Sequence, residues 1–339
     1  MIDSSDPSFV LLCYSDTLKQ RNKRNNMNNV TEISSLILVG LSDHPPTMNA
    51  LFVSFLLIYL MTLITNLLIF FLVLTDYNLH NPMYFFLANL AFLDMSYSSV
   101  TAPRMLFDLV TKSRSISIPA CIAQVFFYLS FVCSETLLLS AMSYDRYIAI
   151  CHPLHYKLIM SWRVCTCMAS LVWVGGCSVS LVHTLFLLRL SFCRTSSIHN
   201  FFCDLPHLYQ ISCSDPFINM VVLFLESAIL GLGIFLMTFL PYVYIFSTIL
   251  RIRSKTGKRK AFSTCTSHIT VVSIFYGSII FIYLVPTSSD MISLNRLSTV
   301  ISALINPLLN PLIYSLRNKD LMEALMRSYY HLKLIRASF

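Results

Sequence analysis

The sequence predicts an all-α membrane protein. It reads as a seven-transmembrane helix bundle with its N-terminus outside, its C-terminus inside and a short amphipathic helix after span seven. Three observations carry this. The 339-residue chain is 56% hydrophobic and only 12% charged, where soluble domains carry about a quarter, and its mean hydropathy is +0.68. Its apolar residues fall into runs of roughly the 20 residues that cross ~30 Å of hydrocarbon as a helix. Its basic residues gather on alternate loops. The first observation excludes a soluble enzyme or a disordered chain, and 7 glycines exclude a collagen repeat.

The runs are Met48–Thr75, Met83–Leu106, Ile118–Met142, Val164–Leu188, Ile218–Leu250, Ala261–Leu284 and Leu297–Leu316. The strands of a membrane barrel would be about half as long. Backbone groups in lipid must be satisfied within their own segment, so these runs are helices. Residues 1–47 then form an outer tail, 48–316 the seven-span domain and 317–339 an inner tail.

Orientation follows from charge. With the N-terminus outside, the inner segments hold 14 Lys/Arg against four acids, and the outer segments 10 against nine. Basic excess marks the cytoplasmic side, so the net charge of +8 needs no nucleic acid partner.

The outer tail opens on 26 polar-rich residues with no secretory signal, since Phe9–Cys13 is too short an apolar run. Met27 is the expected start, with residues 1–26 an extension ahead of it. Asn29-Val30-Thr31 then forms an N-glycosylation sequon on the outer side. At the other end, Leu321, Met322, Leu325, Met326 and Tyr329 line one side of a tail helix with Lys/Arg opposite. Such a helix would lie along the inner membrane surface, and no tail cysteine offers a palmitoyl anchor.

Helical rise gives depth. Cys121 and Arg146 are separated by about 37 Å at 1.5 Å per residue, placing one at each surface of span three. Glu135 falls about 21 Å below Cys121, and Asp94 about 18 Å above the inner end of span two. Intramembrane carboxylates are costly and functional by default. With Asn310 at similar depth, Asp94 and Glu135 would hold a cation such as Na⁺, share protons, or stay protonated as hydrogen-bonding glue between helices.

The outer cysteines Cys121, Cys193, Cys203 and Cys213 are even in number and face an oxidising compartment, which allows three pairings. Cys165-x-Cys167 lacks the partners of a zinc site.

Read in order, the chain shows Leu79-His80-Asn81-Pro82-Met83-Tyr84-Phe85-Phe86-Leu87, then Met142-Ser143-Tyr144-Asp145-Arg146-Tyr147-Ile148-Ala149-Ile150-Cys151. Ser212-Cys213-Ser214-Asp215, Lys260-Ala261-Phe262-Ser263-Thr264-Cys265-Thr266-Ser267-His268 and Pro307-Leu308-Leu309-Asn310-Pro311-Leu312-Ile313-Tyr314-Ser315-Leu316-Arg317-Asn318 follow. This resembles a vertebrate olfactory receptor of the tetrapod-type (class II) branch, within the rhodopsin-like G-protein-coupled receptors. The resemblance runs from about Asn29 to Leu325. Asp-Arg-Tyr and Asn-Pro-x-x-Tyr mark only the wider class, while the Lys260–His268 string with Pro82–Leu87 is far more specific. Four positions depart from the family pattern. Thr65 stands where Gly is usual, Ser143 where Ala is, Leu308 where Met is and Pro241 where Ser is. An interior proline removes a backbone bond, so Pro241 would kink span five.

The resemblance implies roles. Asp145 and Arg146 would pair at rest, and Arg146 would turn to a Gα subunit on activation. Tyr147, Tyr242, His268, Asn310 and Tyr314 would form the inner switch, with Pro311 kinking span seven. It implies a Cys121–Cys203 disulfide, leaving Cys193–Cys213, with Cys121–Cys213 the main rival. It also implies an odorant partner, a stimulatory olfactory-type G protein that raises cAMP, the plasma membrane of sensory cilia, and no cofactor beyond the Na⁺ already considered.

Ligand recognition would sit in the outer half between spans three, five and six. Tyr128 lies about 10 Å below Cys121, with Leu129, Val132 and Cys133 following on one face. Tyr276, Ile279, Ile280 and Tyr283 recur at helical spacing on span six. A mostly apolar chamber with a few polar groups suits a small volatile molecule, although ordinary helix packing explains such residues as well. Glu226 lies about 12 Å inside span five. Ionised, it would select an amine or accept a hydroxyl. Protonated, it would hydrogen-bond a neighbouring helix, the reading favoured where no cationic partner is evident.

Rival classes find less support. No internal repeat suggests a transporter, no recurring filter suggests a channel, and no H-E-x-x-H, G-x-S-x-G or P-loop suggests an enzyme. A chemosensory receptor of the same class acting outside olfaction is the nearest alternative, and a small-solute transporter a distant one.

Overall fold

A computed structural model describes residues 34–40, 44–111, 113–192, 197–198, 200–284 and 297–337. The sequon at Asn29 and the cysteine at Cys193 lie outside the described residues, as does the side chain of Tyr283.

Each predicted run is a helix, and most overrun the hydrocarbon at one or both ends. Span one is α1 (Pro45–Thr75), which begins on a proline whose missing N–H costs nothing at a helix start. It stops at Asp76, whose carboxylate accepts from the Asn78 amide at 2.9 Å and nucleates a 3₁₀ turn, Tyr77–Leu79. Span two is α2 (Pro82–Thr111), with the Asn81 side chain accepting from Tyr84 N across its first turn. Span three is α3 (Ile118–Cys151), capped by Ser117. A short inner-loop helix α4 (Tyr156–Ile159) leads to span four, α5 (Trp162–Leu187).

Outside the membrane, α6 (Leu205–Ile211) follows the outer loop. Span five is α7 (Phe217–Glu226), a π turn (Ser227–Gly231) and α8 (Leu232–Arg251). The departure at Pro241 lies inside α8, which continues through it. Span six is α9 (Lys255–Leu284). Span seven begins near Leu297, passes a π segment (Ile301–Ile305) and ends as α10 (Asn306–Arg317). The inner amphipathic helix is α11 (Lys319–Ala337).

Five of these, spans one, three, four, five and seven, are long and apolar enough to cross a membrane by length and composition. Spans two and six are more polar for a reason. Span two carries Asp94, Arg104 and Asp108, and α9 begins in the basic inner loop, with its apolar stretch at Cys265–Phe281. Both depend on neighbouring helices to cover their polar faces.

Packing between spans three and four is close because residue 176 is glycine. A Cβ there would stand 2.6 Å from the Ser130 carbonyl oxygen. Without a hydrophobic drive between helices in lipid, small residues at contacts supply the van der Waals gain. Apolar side chains such as Leu57, Leu171 and Phe224 point outward, as lipid requires.

The outer end holds a feature not anticipated from the sequence. Strand β1 (Ser35–Leu38) pairs antiparallel with β2 (Ser115–Ser117) and parallel with β3 (Ser197–Ile198). Leu36 and Leu38 are fully buried against the loop that carries Cys203. The tail is thereby stitched to the loop that covers the outer end of the bundle. At the inner end, α11 buries Leu321 and Ala324 against the bundle and exposes Met322, Met326 and Tyr329. The predicted stripe therefore divides into a protein-facing part and an exposed part.

Candidate functional site

The polar side chains of the bundle form three tiers. The outermost lies beneath the Cys121–Cys203 disulfide, whose Cα atoms are 5.5 Å apart. That bond excludes the Cys121–Cys213 alternative. Cys213 is itself disulfide-bonded, and Cys193, its expected partner, lies outside the described residues. Gln124 fastens the roof, accepting from Cys203 N at 3.0 Å and donating to the Val100 carbonyl at 3.1 Å.

Under this roof Tyr128 is buried between Tyr97 and Phe202, with ring centroids 5.3 Å and 4.7 Å away. Leu129 packs against the outer cluster together with Leu223 of span five. Val132 and Ile279 pack against the cluster that contains Tyr276. Tyr276 hydrogen-bonds Thr238 of span five at 3.1 Å and meets Phe235 edge-on. Val132, Tyr276 and Ile279 thus belong to or adjoin one large apolar cluster, while Tyr128 and Leu129, nearer Cys121, belong to or adjoin two others.

Ile280 is not among them. It is 45% exposed on the outside of span six. An i, i+3, i+4 stripe fixes a face only where the opposite face is polar, and here both are apolar. A cavity of about 320 Å³ lies elsewhere, between the inner ends of spans one, two and four, lined by Phe70, Val73, Phe85, Phe92 and Trp162.

Glu226 has a partner that the sequence did not reveal. His183 of span four, 2% exposed, places Nε2 2.6 Å from Glu226 Oε2. The remaining ring nitrogen of His183 is buried with no hydrogen-bond partner among the described residues. Cys133 and Tyr209 both lie within electrostatic reach of the Glu226 carboxyl. Burial pushes the Tyr209 phenol up to about 12, with Asn219 opposing and Glu226 adding to the shift. Two positions on different helices, 43 residues apart, offer no spacing by which a sequence could announce such a pair.

The middle tier brings Asp94, Glu135 and Asn310 together as their depths suggested. Asn310 Nδ2 donates to Asp94 Oδ1 at 2.9 Å, Asp94 Oδ2 at 3.2 Å and Glu135 Oε1 at 3.3 Å. All three are buried. Beside them Asn66 Nδ2 donates to the Pro307 carbonyl at 2.9 Å. That carbonyl is the one left without its helical donor by Pro311, four residues on. Asn66 therefore makes the proline in span seven tolerable.

The inner tier is built on Asp145 and Arg146. Asp145 Oδ2 accepts from Arg146 Nε at 3.0 Å and from Nη2 as well. Its other oxygen accepts from Tyr156 OH of α4 at 2.7 Å. Burial and the adjoining Asp145 charge hold the Tyr156 phenol well above its ordinary range, so it stays a donor. Tyr242 bonds His268 Nδ1, the two rings stacked at 5.9 Å, and Tyr314 lies 6.1 Å from the same imidazole. Spans five, six and seven thus meet in one aromatic group. Tyr147 stands apart, with its hydroxyl 3.3 Å from His152 Nε2 and its ring against Tyr244.

Two further inner contacts had no sequence signal. Tyr84 OH donates to Asn318 Oδ1 and Asp320 Oδ2, each at 3.0 Å, joining span two to the start of α11. Arg327 Nη2 pairs with Asp76 at 2.7 Å. Burial raises the Asp76 carboxyl, but bonds from Arg327 and Asn78 outweigh it and leave it below its ordinary range.

A family profile described as "Olfactory receptor" matches residues 55–331. The chain is 46% identical over 299 residues to olfactory receptor 1G1 of Gorilla gorilla gorilla, covering 88% of this chain and 96% of that one. It is 45% identical over 302 residues to olfactory receptor 5B12 of Homo sapiens, covering 89% and 96%. Squid rhodopsin superposes with a TM-score of 0.67 at 19% identity, over 86% of this chain and 87% of that one, which speaks to the fold alone. The chain belongs to the olfactory receptor family of G-protein-coupled receptors, multi-pass membrane signalling proteins and not enzymes.

Proposed function

We propose that this receptor binds a small volatile organic molecule in the outer half of the bundle. It then couples to a stimulatory olfactory-type G protein, raising cAMP at the plasma membrane of sensory cilia. The observation that carries this reading is the tiered arrangement of buried polar groups within one helix bundle. An agonist that favours one arrangement of spans five and six over the other would shift the population of the inner tier. Arg146 would leave Asp145 and meet the G protein, while Tyr242, His268 and Tyr314 regroup around the proline-bent end of span seven.

The middle tier would tune this equilibrium. Two buried carboxyl groups on one amide repel if both are ionised. Their oxygens fit a hard monovalent cation, and Asn310 turned by half a rotation would add a carbonyl oxygen, since amide N and O are assigned from the hydrogen-bond network. A shared proton fills the same role.

The test is cAMP accumulation in cells co-expressing the olfactory G protein. Arg146→Ala is expected to abolish the agonist response while surface expression persists. A full response from that variant would refute the assignment.

A further inference from the structure

The wall of the outer tier formed by spans three, four and five holds a concentration of incompletely bonded polar groups. His183 is 2% exposed, gives one ring nitrogen to Glu226 and leaves Nδ1 without a hydrogen-bond partner among the described residues. Tyr209, 4% exposed on α6, has a buried hydroxyl that also lacks a hydrogen-bond partner among the described residues, with the Asn219 amide close beside it. Asn219 is otherwise engaged, donating to the Phe186 carbonyl at 3.1 Å. The Glu226 side chain between these elements keeps 20% exposure, so its carboxyl is reachable. Buried polar atoms are ordinarily satisfied, because leaving one bare costs about 1–3 kcal/mol. Two bare atoms around one carboxyl, in the half of the bundle where a ligand is expected, are groups awaiting a guest.

We propose that His183, Glu226 and Tyr209 form the polar pole of the ligand chamber and select compounds that carry a hydroxyl group, namely aliphatic alcohols and phenols. This rests on the receptor reading given above. The choice of class follows from donor and acceptor counting. If His183 donates Nε2–H to Glu226, its Nδ1 is a bare acceptor; if Glu226 holds the proton, Nδ1–H is a bare donor. Tyr209 brings an O–H that needs an acceptor. A hydroxyl gives and accepts at one atom, so it satisfies the imidazole in either state and the phenol together. A carbonyl or ether oxygen only accepts, and an ammonium only donates. A carboxylate is repelled by Glu226. The alkyl or aryl remainder would lie against Leu129 and Val132, which line the same face of span three as Cys133.

The experiment uses the full-length receptor at the cell surface with a cAMP readout. The probes are n-octanol, its methyl ether, octanal, n-octylamine, phenol and anisole. The alcohol and phenol are expected to be agonists, with the matched ethers at least about tenfold weaker. Tyr209→Phe, which removes one oxygen and nothing else, and Glu226→Gln are each expected to raise the half-maximal alcohol concentration about tenfold, equivalent to about 1.4 kcal/mol.

Agonists drawn only from ethers, aldehyde or amine would overturn the proposal. So would alcohol potency that is unchanged in both variants. Silence towards every probe, with basal signalling present and removed by Arg146→Ala, overturns it while the receptor reading stands. Absence of both basal and evoked signal counts against the receptor reading itself, and the proposal falls with it.

Discussion

Asp145 accepts three hydrogen bonds, two from Arg146 and one from Tyr156, and this arrangement should hold the receptor at rest. Hydrogen bonds to a charged group are worth about 1.5–3 kcal/mol, against about 0.5–1.5 for neutral ones. Tyr156→Phe deletes one charge-assisted bond and leaves the Arg146 contact in place. A loss of about 1.5 kcal/mol from the resting state alone raises the ratio of active to resting receptor roughly tenfold. Asp145→Asn keeps the shape but removes the negative charge, and its NH₂ cannot accept, so all three bonds are weakened or lost. At about 1 kcal/mol per bond the same ratio should rise roughly a hundredfold. The assay is agonist-independent nucleotide exchange on a G protein added to receptor membranes, normalised to receptor amount. Both variants should exceed wild type, with Asp145→Asn the larger. Basal exchange unchanged or lowered in both, at equal receptor amount, would refute the reasoning.

Three further outcomes follow from the geometry. Asn66→Ala strips the donor from the Pro307 carbonyl, a loss of about 1–3 kcal/mol that should lower the thermal midpoint of detergent-solubilised receptor; the double variant with Pro311→Ala should recover part of it, because the backbone N–H returns. Gly176→Leu should cut surface expression, since even its Cβ meets the Ser130 carbonyl oxygen at 2.6 Å and overpacking costs about 1–3 kcal/mol. The Asp76–Arg327 pair should contribute under about 1 kcal/mol. Asp76 is held below its ordinary range, so this contribution is present at neutral pH, persists above the unfolded carboxyl value of about 3.9, and is lost as pH falls through the lowered folded value. Asp76→Asn should therefore reduce thermal stability at neutral pH, by a margin that shrinks towards zero in acid.

How much of this was legible in the chain depends on the distance over which each signal acts. The spans were, because apolar runs are local, although their limits were not: the first two helices begin at Pro45 and Pro82 rather than at Met48 and Met83. The middle tier was legible too, since a rise of 1.5 Å per residue converts position into depth and few carboxylates occur at that depth. What depth does not give is rotation. Ile280 was set on the chamber wall by its spacing from Tyr276, but it faces outward. In a membrane the outward face is as apolar as the inward one, so the stripe has no polar side to orient it. Contacts between separate helices were equally silent. Asn66 lies 241 residues from Pro307, and Tyr84 lies 234 from Asn318. Strand β1 is four residues long and pairs with loops far along the chain, too short to stand out beside helical runs. His183 was the costliest omission, because it changes Glu226 from a solitary acid into half of a pair.

The central claim is that ligand binding among the outer residues is transmitted to a G protein through Arg146. It is tested most directly with purified receptor in lipid nanodiscs, mixed with purified stimulatory G protein. An odorant found active in cells should accelerate nucleotide exchange on the Gα subunit, and Arg146→Ala should remove that acceleration while binding of the odorant persists. Odorant binding without any exchange, or exchange of equal size in the Arg146→Ala receptor, would contradict it.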